Sequence, residues 1–521
     1  MRLLLCALVL SAAAIGQIDE AAILEGAGDN WLTYSGDYAS LRHSSLDQIN
    51  IDNVGSLVAK WVYHVPGARR LETTPLVYDG VMYLTNTNEL HALDAGTGRR
   101  IWSYLAEAPR RAQNRGAALW GNAVFFLAAD CHLVKLDRLT GALIWTREFA
   151  SYEEGYYTSL APLIVKGQVL VGTAGGGTGQ RGFVAALSTD TGEELWRFWT
   201  VPAEGEPGSE TWGGFPSKWA GAPTWTTGSY DPELNLIYWP TGNPWPDFSG
   251  SRRRGDNLYS NSVVALDADT GEMKWYFQFT PHDTHDWDAN EQLVLIDREY
   301  KGEMRKLMLH ADRNGFYYLL DRETGEYLQA TRFVERLDWA TGIDESGRPI
   351  EVPGLEPTPA GVKVCPSVRG ATNWMSPSIN PEIGLLYVVT LEMCDIYTGS
   401  AKEPVPSSGF RGGGSRQIPS EPGQFYLRAL DSVTGEIRWE YKMTGPATMW
   451  AGTVSTAGDL VFTGDDDGAL VALDARTGEV LWHFTMGNTL YASPMTFTAD
   501  GKQYVTIATA TDVFTFGLFS D

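Results

Sequence analysis

Short apolar runs alternate with polar residues along the chain, as in Val81-Met82-Tyr83-Leu84 and Leu460-Val461-Phe462. A two-residue period of this kind predicts strands rather than helices. Each run leads into the same punctuation, Leu-Asp-x-x-Thr-Gly-x-x-x-Trp. It stands at 93–102, 136–145, 187–196 (with Ser188 in place of Asp), 266–275, 430–439 and 473–482, and a copy at 320–329 ends in Gln329. Asp and Thr side chains can hydrogen-bond turn backbone, and Gly takes the positive φ that a tight hairpin needs. Trp at a fixed offset sets a large flat surface at the same point of every unit.

Most copies fall about 43 to 54 residues apart, which is room for four short strands. A longer interval before Trp275 predicts an insertion. A still longer one before Trp439 predicts a degenerate unit around Ile383-Gly384-Leu385-Leu386-Tyr387, and counting it gives eight. The expected fold class is all-β, an eight-bladed β-propeller with tryptophan-docking repeats. It is expected to occupy residues 17–521 as a single domain.

Composition narrows the partners. A net charge of −24 over 521 residues argues against nucleic acid and against anionic membrane surfaces. It suits bound cations or a basic protein partner. Residues 1–16 read as a secretory signal peptide: Arg2 precedes the apolar run from Leu3 to Ile15, and small residues at Ala14 and Gly16 precede Gln17. The run is too short for a membrane anchor, so a periplasmic or secreted location is expected. Export permits a disulfide, and Cys365 and Cys394 bracket a segment able to fold back as a hairpin, which leaves Cys131 as a buried thiol. There is no Cys-x-x-Cys-His, so no covalently attached haem is indicated.

The segment Thr280-Pro-His-Asp-Thr-His-Asp-Trp-Asp-Ala-Asn290 follows the fourth turn. Asp286 and Asp288 are two apart and project to one face of an extended segment. Carboxylates held together raise each other's pKa unless a cation sits between them. A hard cation with oxygen ligands answers that need.

The repeat, the opening Trp31-Leu-Thr-Tyr-Ser-Gly-Asp-Tyr38 and these loops resemble the pyrroloquinoline-quinone (PQQ) dependent alcohol dehydrogenases from about residue 30 to the C-terminus. The resemblance implies a bound PQQ and one calcium or lanthanide ion. Asp286 falls on the family's catalytic base, and Asp288 on the extra carboxylate of lanthanide-using members. Asn243 in Thr-Gly-Asn-Pro resembles the amide ligand, so Asn243, Asp286 and Asp288 form the implied metal set. The implied cofactor contacts are Glu72 in Leu-Glu-Thr-Thr-Pro-Leu, Arg115 in Asn-Arg-Gly, Ser159, and Trp225 as the floor under the quinone. Arg313 in Asp-Arg-Asn-Gly-Phe matches the basic residue at the quinone oxygen. Asn373, Trp374 and Trp450 complete the implied pocket.

The activity so implied is oxidation of a primary or secondary alcohol. Asp286 acts as general base, a metal-bound quinone accepts hydride, Arg313 assists, and a separate c-type cytochrome takes the electrons. Two positions depart from the pattern. Gly177, in Gly175-Gly-Gly-Thr-Gly-Gln-Arg-Gly182, stands where relatives place a metal-binding Glu. Pro109-Arg110 stands where many carry adjacent cysteines. The missing Glu keeps a second reading open, a degenerate quinoprotein-like propeller acting as a non-catalytic binding or scaffold protein.

Overall fold

The computed structural model describes residues 17–109, 113–402, 405, 409–446 and 448–519. The expected signal segment 1–16 and Arg110 lie outside the described residues. The fold is all-β. Among the described residues, eight of the ten sheets carry four or more strands. In most of these the inner strands are buried along their length, as at Ala123–Ala128 and Phe183–Ser188, while an outer strand such as Arg100–Leu105 is largely exposed. That gradient is what the alternating apolar runs encode, since an inner strand is covered on both faces.

Every copy of the repeat forms the hairpin between the last two strands of a sheet. Asp94 Oδ1 accepts from Thr97 N at 2.9 Å and from Thr97 Oγ1 at 2.7 Å, and Asp137 holds Thr140 in the same way. The turn glycines Gly98, Gly141, Gly192, Gly271, Gly325, Gly435 and Gly478 all have φ between 70° and 78°. Their missing Cβ leaves room for a ring from the preceding sheet. Trp102 lies against Gly141, Trp145 against Gly192, Trp196 against Gly271, Trp275 against Gly325 and Trp439 against Gly478, where a Cβ would come within 3.0 Å of the ring. Most of these indoles also donate to a turn carbonyl: Trp102 to Arg138 O at 3.2 Å, Trp145 to Asp190 O at 2.9 Å, Trp439 to Ala475 O at 3.2 Å. Gln329 keeps that bond without a ring, its Nε2 donating to Val433 O at 2.6 Å.

The eighth sheet departs from expectation. Ile383 to Tyr387 form no unit of their own. They belong to the turn and second strand (Leu385–Glu392) of the sheet that ends in the 430–439 repeat. The long interval before Trp439 is therefore an insertion, and it carries the two small accessory sheets at 340–351 and 362–417. The eighth large sheet joins the two ends of the described chain. Leu57–His64 pairs antiparallel with Asp512–Leu518, from Leu57 opposite Leu518 to His64 opposite Asp512. Trp61 on that strand lies against Gly98 and donates to Ala95 O at 3.1 Å.

Cys365 and Cys394 are disulfide-bonded, and Cys131 is a buried free thiol. The two half-cystines flank Val364 and Asp395, which face each other in an antiparallel pair, so the bridge clamps the hairpin anticipated there. No helix among the described residues is long and apolar enough to cross a membrane.

Candidate active site and metal centre

Loops from several sheets converge on a cavity of about 340 Å³ lined by Arg115, Ser159, Gly177, Trp225, Asn243, Asp286, Asp288 and Arg313, with Asp247 and Arg411 among the remainder. Larger depressions of about 520 and 560 Å³ exist elsewhere. The first is lined by one arginine and one glutamate and the second by no arginine, and size alone does not make a site.

The Asp286 loop is built by local hydrogen bonds. Asp283 accepts from His285 N at 2.7 Å and Trp287 N at 2.9 Å, an Asx-type turn that leaves Asp286 at φ 63°. Trp287 is fully buried and its indole donates to Ser367 O at 3.0 Å, anchoring the segment. The buried Arg253 donates to both Asp283 O and Pro246 O, which ties the Asp286 loop to the Asn243 loop. His282 and His285 contact the backbone carbonyls of Gly255 and Leu355.

Arg313 organises the next layer. It donates to Asp286 O at 2.7 Å and Asn373 Oδ1 at 3.2 Å, and stands 3.2 Å from Asp288 Oδ2. Burial works to lower its pKa, but Asp288, Glu291 and Asp286 together hold it above the usual value. The other oxygen of Asp288 accepts from Asn243 N at 2.8 Å. A Cβ on Gly242 would sit 2.1 Å from that oxygen, so the approach requires glycine.

Across the cavity Arg115 pairs with Glu72 at 2.6 Å and donates to Ser159 Oγ at 2.8 Å. Its guanidinium lies 4.9 Å from the Trp225 ring centroid and 4.5 Å from that of Trp374. Trp374 stacks on Trp450, with centroids 6.0 Å apart and planes 5° from parallel. All the site residues expected from sequence thus fall in one neighbourhood. A flat ring wall, a pre-oriented guanidinium fork and a second buried arginine fit a planar, carboxylate-bearing quinone.

Two residues of the cavity carry no motif and were missed. Asp247 is 1% exposed, and neither of its oxygens meets hydrogen-bond geometry with a donor. The Asn243 amide and the Arg411 guanidinium are nonetheless close enough to favour its charge, with Arg411 Nε at 3.4 Å. Burial dominates and pushes Asp247 up to about 7. Arg411 comes from a Gly- and Ser-rich stretch of the chain that carries no repeat. That segment docks through Trp245 Nε1 donating to Phe410 O (2.8 Å) and Phe248 N donating to Arg411 O (2.8 Å). Arg411 also stands 3.4 Å from Asp286 Oδ2. Asp286 is driven well above the carboxylate range by burial and then by Asp247 and Asp288, with Arg411 and Arg313 opposing. Carboxylates in that state fit a hard cation. Among the described residues the tightest metal-like grouping is a different one, Glu291, His310 and Asp312, buried behind Arg313 with ligand atoms within 4.8 Å of one another.

Residues 31–336 and 443–505 match the family described as "PQQ: Glucose/ethanol/alcohol dehydrogenase, beta-propeller domain". The chain is 39% identical over 502 residues to the quinoprotein alcohol dehydrogenase PedH of Pseudomonas putida, covering 89% of this chain and 83% of that one. The structure of the quinohemoprotein alcohol dehydrogenase ADHIIG of Pseudomonas putida superposes with a TM-score of 0.91 at 33% identity, over 97% of this chain and 83% of that one. A europium-containing methanol dehydrogenase superposes with a TM-score of 0.88 at 30% identity, over 94% and 98% of the respective chains. The chain therefore belongs to the PQQ-dependent alcohol dehydrogenases, enzymes that work with PQQ and a calcium or lanthanide ion.

Proposed function

We propose that this enzyme oxidises a primary or secondary alcohol in the periplasm, with Asp286 as the base that accepts the hydroxyl proton. The observation that carries this reading is the meeting, in one cavity, of Asp286, the polar pair Asn243 and Asp288, the guanidinium groups of Arg115 and Arg313 and the Trp225 ring. The frame is one eight-bladed propeller over 17–521, its blades keyed together by docked tryptophans and its last blade closed by Leu57–His64.

PQQ bound here supplies the acceptor for the hydride that leaves the alcohol carbon. The chain's own residues do the rest. Asn243, Asp286 and Asp288 would hold the ion, which returns Asp286 to the ionised form that can take a proton. Arg313 is fixed by Asp286 O and Asn373 and presents positive charge where negative charge develops. Glu72, Ser159 and the two flanking tryptophans fix the Arg115 fork, so little ordering remains when a carboxylate arrives. Trp374 and Trp450 exclude water from that side. Electrons leave to a separate c-type cytochrome, and the acidic surface suits a basic carrier.

The test is reconstitution of the purified protein with PQQ plus calcium or a lanthanide, followed by a dye-linked alcohol panel. Retained quinone absorbance and turnover are expected, and Asp286→Asn should abolish turnover while keeping the absorbance. No retained quinone and no turnover with either metal would favour the scaffold reading instead.

A further inference from the structure

We propose that Asp247 supplies the metal-binding carboxylate that position 177 lacks, and that Arg411 competes with the ion for that carboxylate and for Asp286. The inference rests on the reading of Asn243, Asp286 and Asp288 as metal ligands.

Three observations carry it. Asp247 is a buried carboxylate on the cavity wall, four residues beyond Asn243, with neither oxygen hydrogen-bonded. Burying a carboxylate whose close partners are a loosely placed guanidinium and the Asn243 amide is costly, so the position favours a bound cation. Its ionic neighbour, Arg411, is a long side chain with half its surface exposed, reaching in from the far insertion at contact distances of 3.4 Å that leave both of its carboxylate pairings loose. The third observation joins the two positions. A Cβ on Gly177 would sit 2.8 Å from Arg411 Nη2 and 3.1 Å from its Cζ, so the guanidinium occupies the space into which a side chain at 177 would project.

The exchange is therefore one of side rather than of number. The acid is absent from the Gly175 to Gly179 turn and present on the Asn243 loop. That loop is held rigidly by Arg253, which bonds Pro246 O and Asn257 Oδ1 from a fully buried position. Asp247, Asp286 and Asp288 stand too far apart to meet the 4.8 Å grouping found at Glu291, and the guanidinium spans the first two. A compact ion taking its place draws those two carboxylates closer. Three carboxylates and an amide also supply more negative charge than the set read from sequence, which favours a trivalent ion over a divalent one.

The experiment counts bound metal rather than turnover. The full chain, loaded with PQQ, is titrated with Tb³⁺, and bound terbium is measured by equilibrium dialysis and sensitised luminescence, with circular dichroism as the check on folding. Wild-type protein should bind one equivalent. Asp247→Asn should weaken binding by at least the roughly tenfold to hundredfold that loss of even an outer-shell partner produces. Gly177→Glu placed on that background should recover most of the affinity. Arg411→Ala should tighten binding, and it tests the competition even if Asp247→Asn fails to fold. Unchanged terbium affinity in Asp247→Asn, or no recovery with Gly177→Glu, overturns the role of Asp247, while loss of binding in Asp288→Ala leaves the underlying site reading intact. A wild-type protein that binds neither PQQ nor terbium overturns both.

Discussion

Replacing Trp61 tests whether ring-on-glycine contacts hold the sheets together, at the junction between the closing sheet and the sheet of the first repeat. The side chain is 8% exposed, covers Gly98 and donates to Ala95 O at 3.1 Å. Truncating a buried Trp to Ala costs about 3–5 kcal/mol, and leaving the carbonyl unpaired adds about 1 kcal/mol. Trp61→Phe keeps an aromatic surface and loses the N–H, so it should cost about 1–2 kcal/mol. With an unfolding entropy of about 2.1 cal/mol/K per residue over about 500 residues, each kcal/mol moves the melting temperature by about 1 °C. Calorimetry should therefore show a drop of about 4–6 °C for Trp61→Ala and about 1–2 °C for Trp61→Phe. Equal shifts for the two variants would show that the ring surface is not what closes the junction.

Three further outcomes follow from the structure. Replacing Cys365 and Cys394 together by Ala opens a loop with a sequence separation of 29; chain entropy puts the loss at about 3.5 kcal/mol, read as a lower denaturation midpoint, and an unchanged midpoint would rule out a stabilising bridge. Asp231 is buried, so desolvation works to raise its pKa, but Arg322 at 2.7 Å and the N–H groups of Leu234 and Glu233 overcome this and hold it below the usual value. Its contribution is present above the unfolded value of about pH 4 and is lost as pH falls through the lower folded value; Arg322→Gln should therefore lose less stability than wild type on acidification below that point in urea titrations, and parallel slopes would contradict it. Gly242→Ala must displace Asp288, whose Oδ1 lies 2.1 Å from the added Cβ, so terbium binding should weaken by about tenfold or more with little change in circular dichroism; unaltered affinity would show that Asp288 can move without consequence.

The turns were legible in the sequence because each is a local event. Asp, Thr and Gly fix a hairpin within five residues, whatever the rest of the chain does. The eighth sheet was not legible, because its first strand at Leu57–His64 carries no repeat and finds its partner only at Asp512–Leu518. The degenerate unit expected at Ile383 to Tyr387 fails for the converse reason, since an apolar run there looks like a new unit when it is the second strand of an existing one. In the site, Asp286, Asp288, Asn243 and Arg313 sit in recognisable loops. Asp247 and Arg411 acquire meaning only from burial and from reaching across the fold. A buried Asp after Trp245-Pro246 and a lone Arg in a Gly- and Ser-rich stretch give no periodic signal.

The closing sheet also sets an order of events during synthesis. Leu57–His64 is made early, yet it has no edge to join until Asp512–Leu518 has emerged, so seven sheets must wait with their first and last members unsealed. Contacts at such separation in sequence form slowly, and an unpaired strand edge invites pairing with another molecule in the interval. A nascent chain released before its last turn should be the form most prone to aggregate, even though nearly all of its metal and quinone contacts are already encoded.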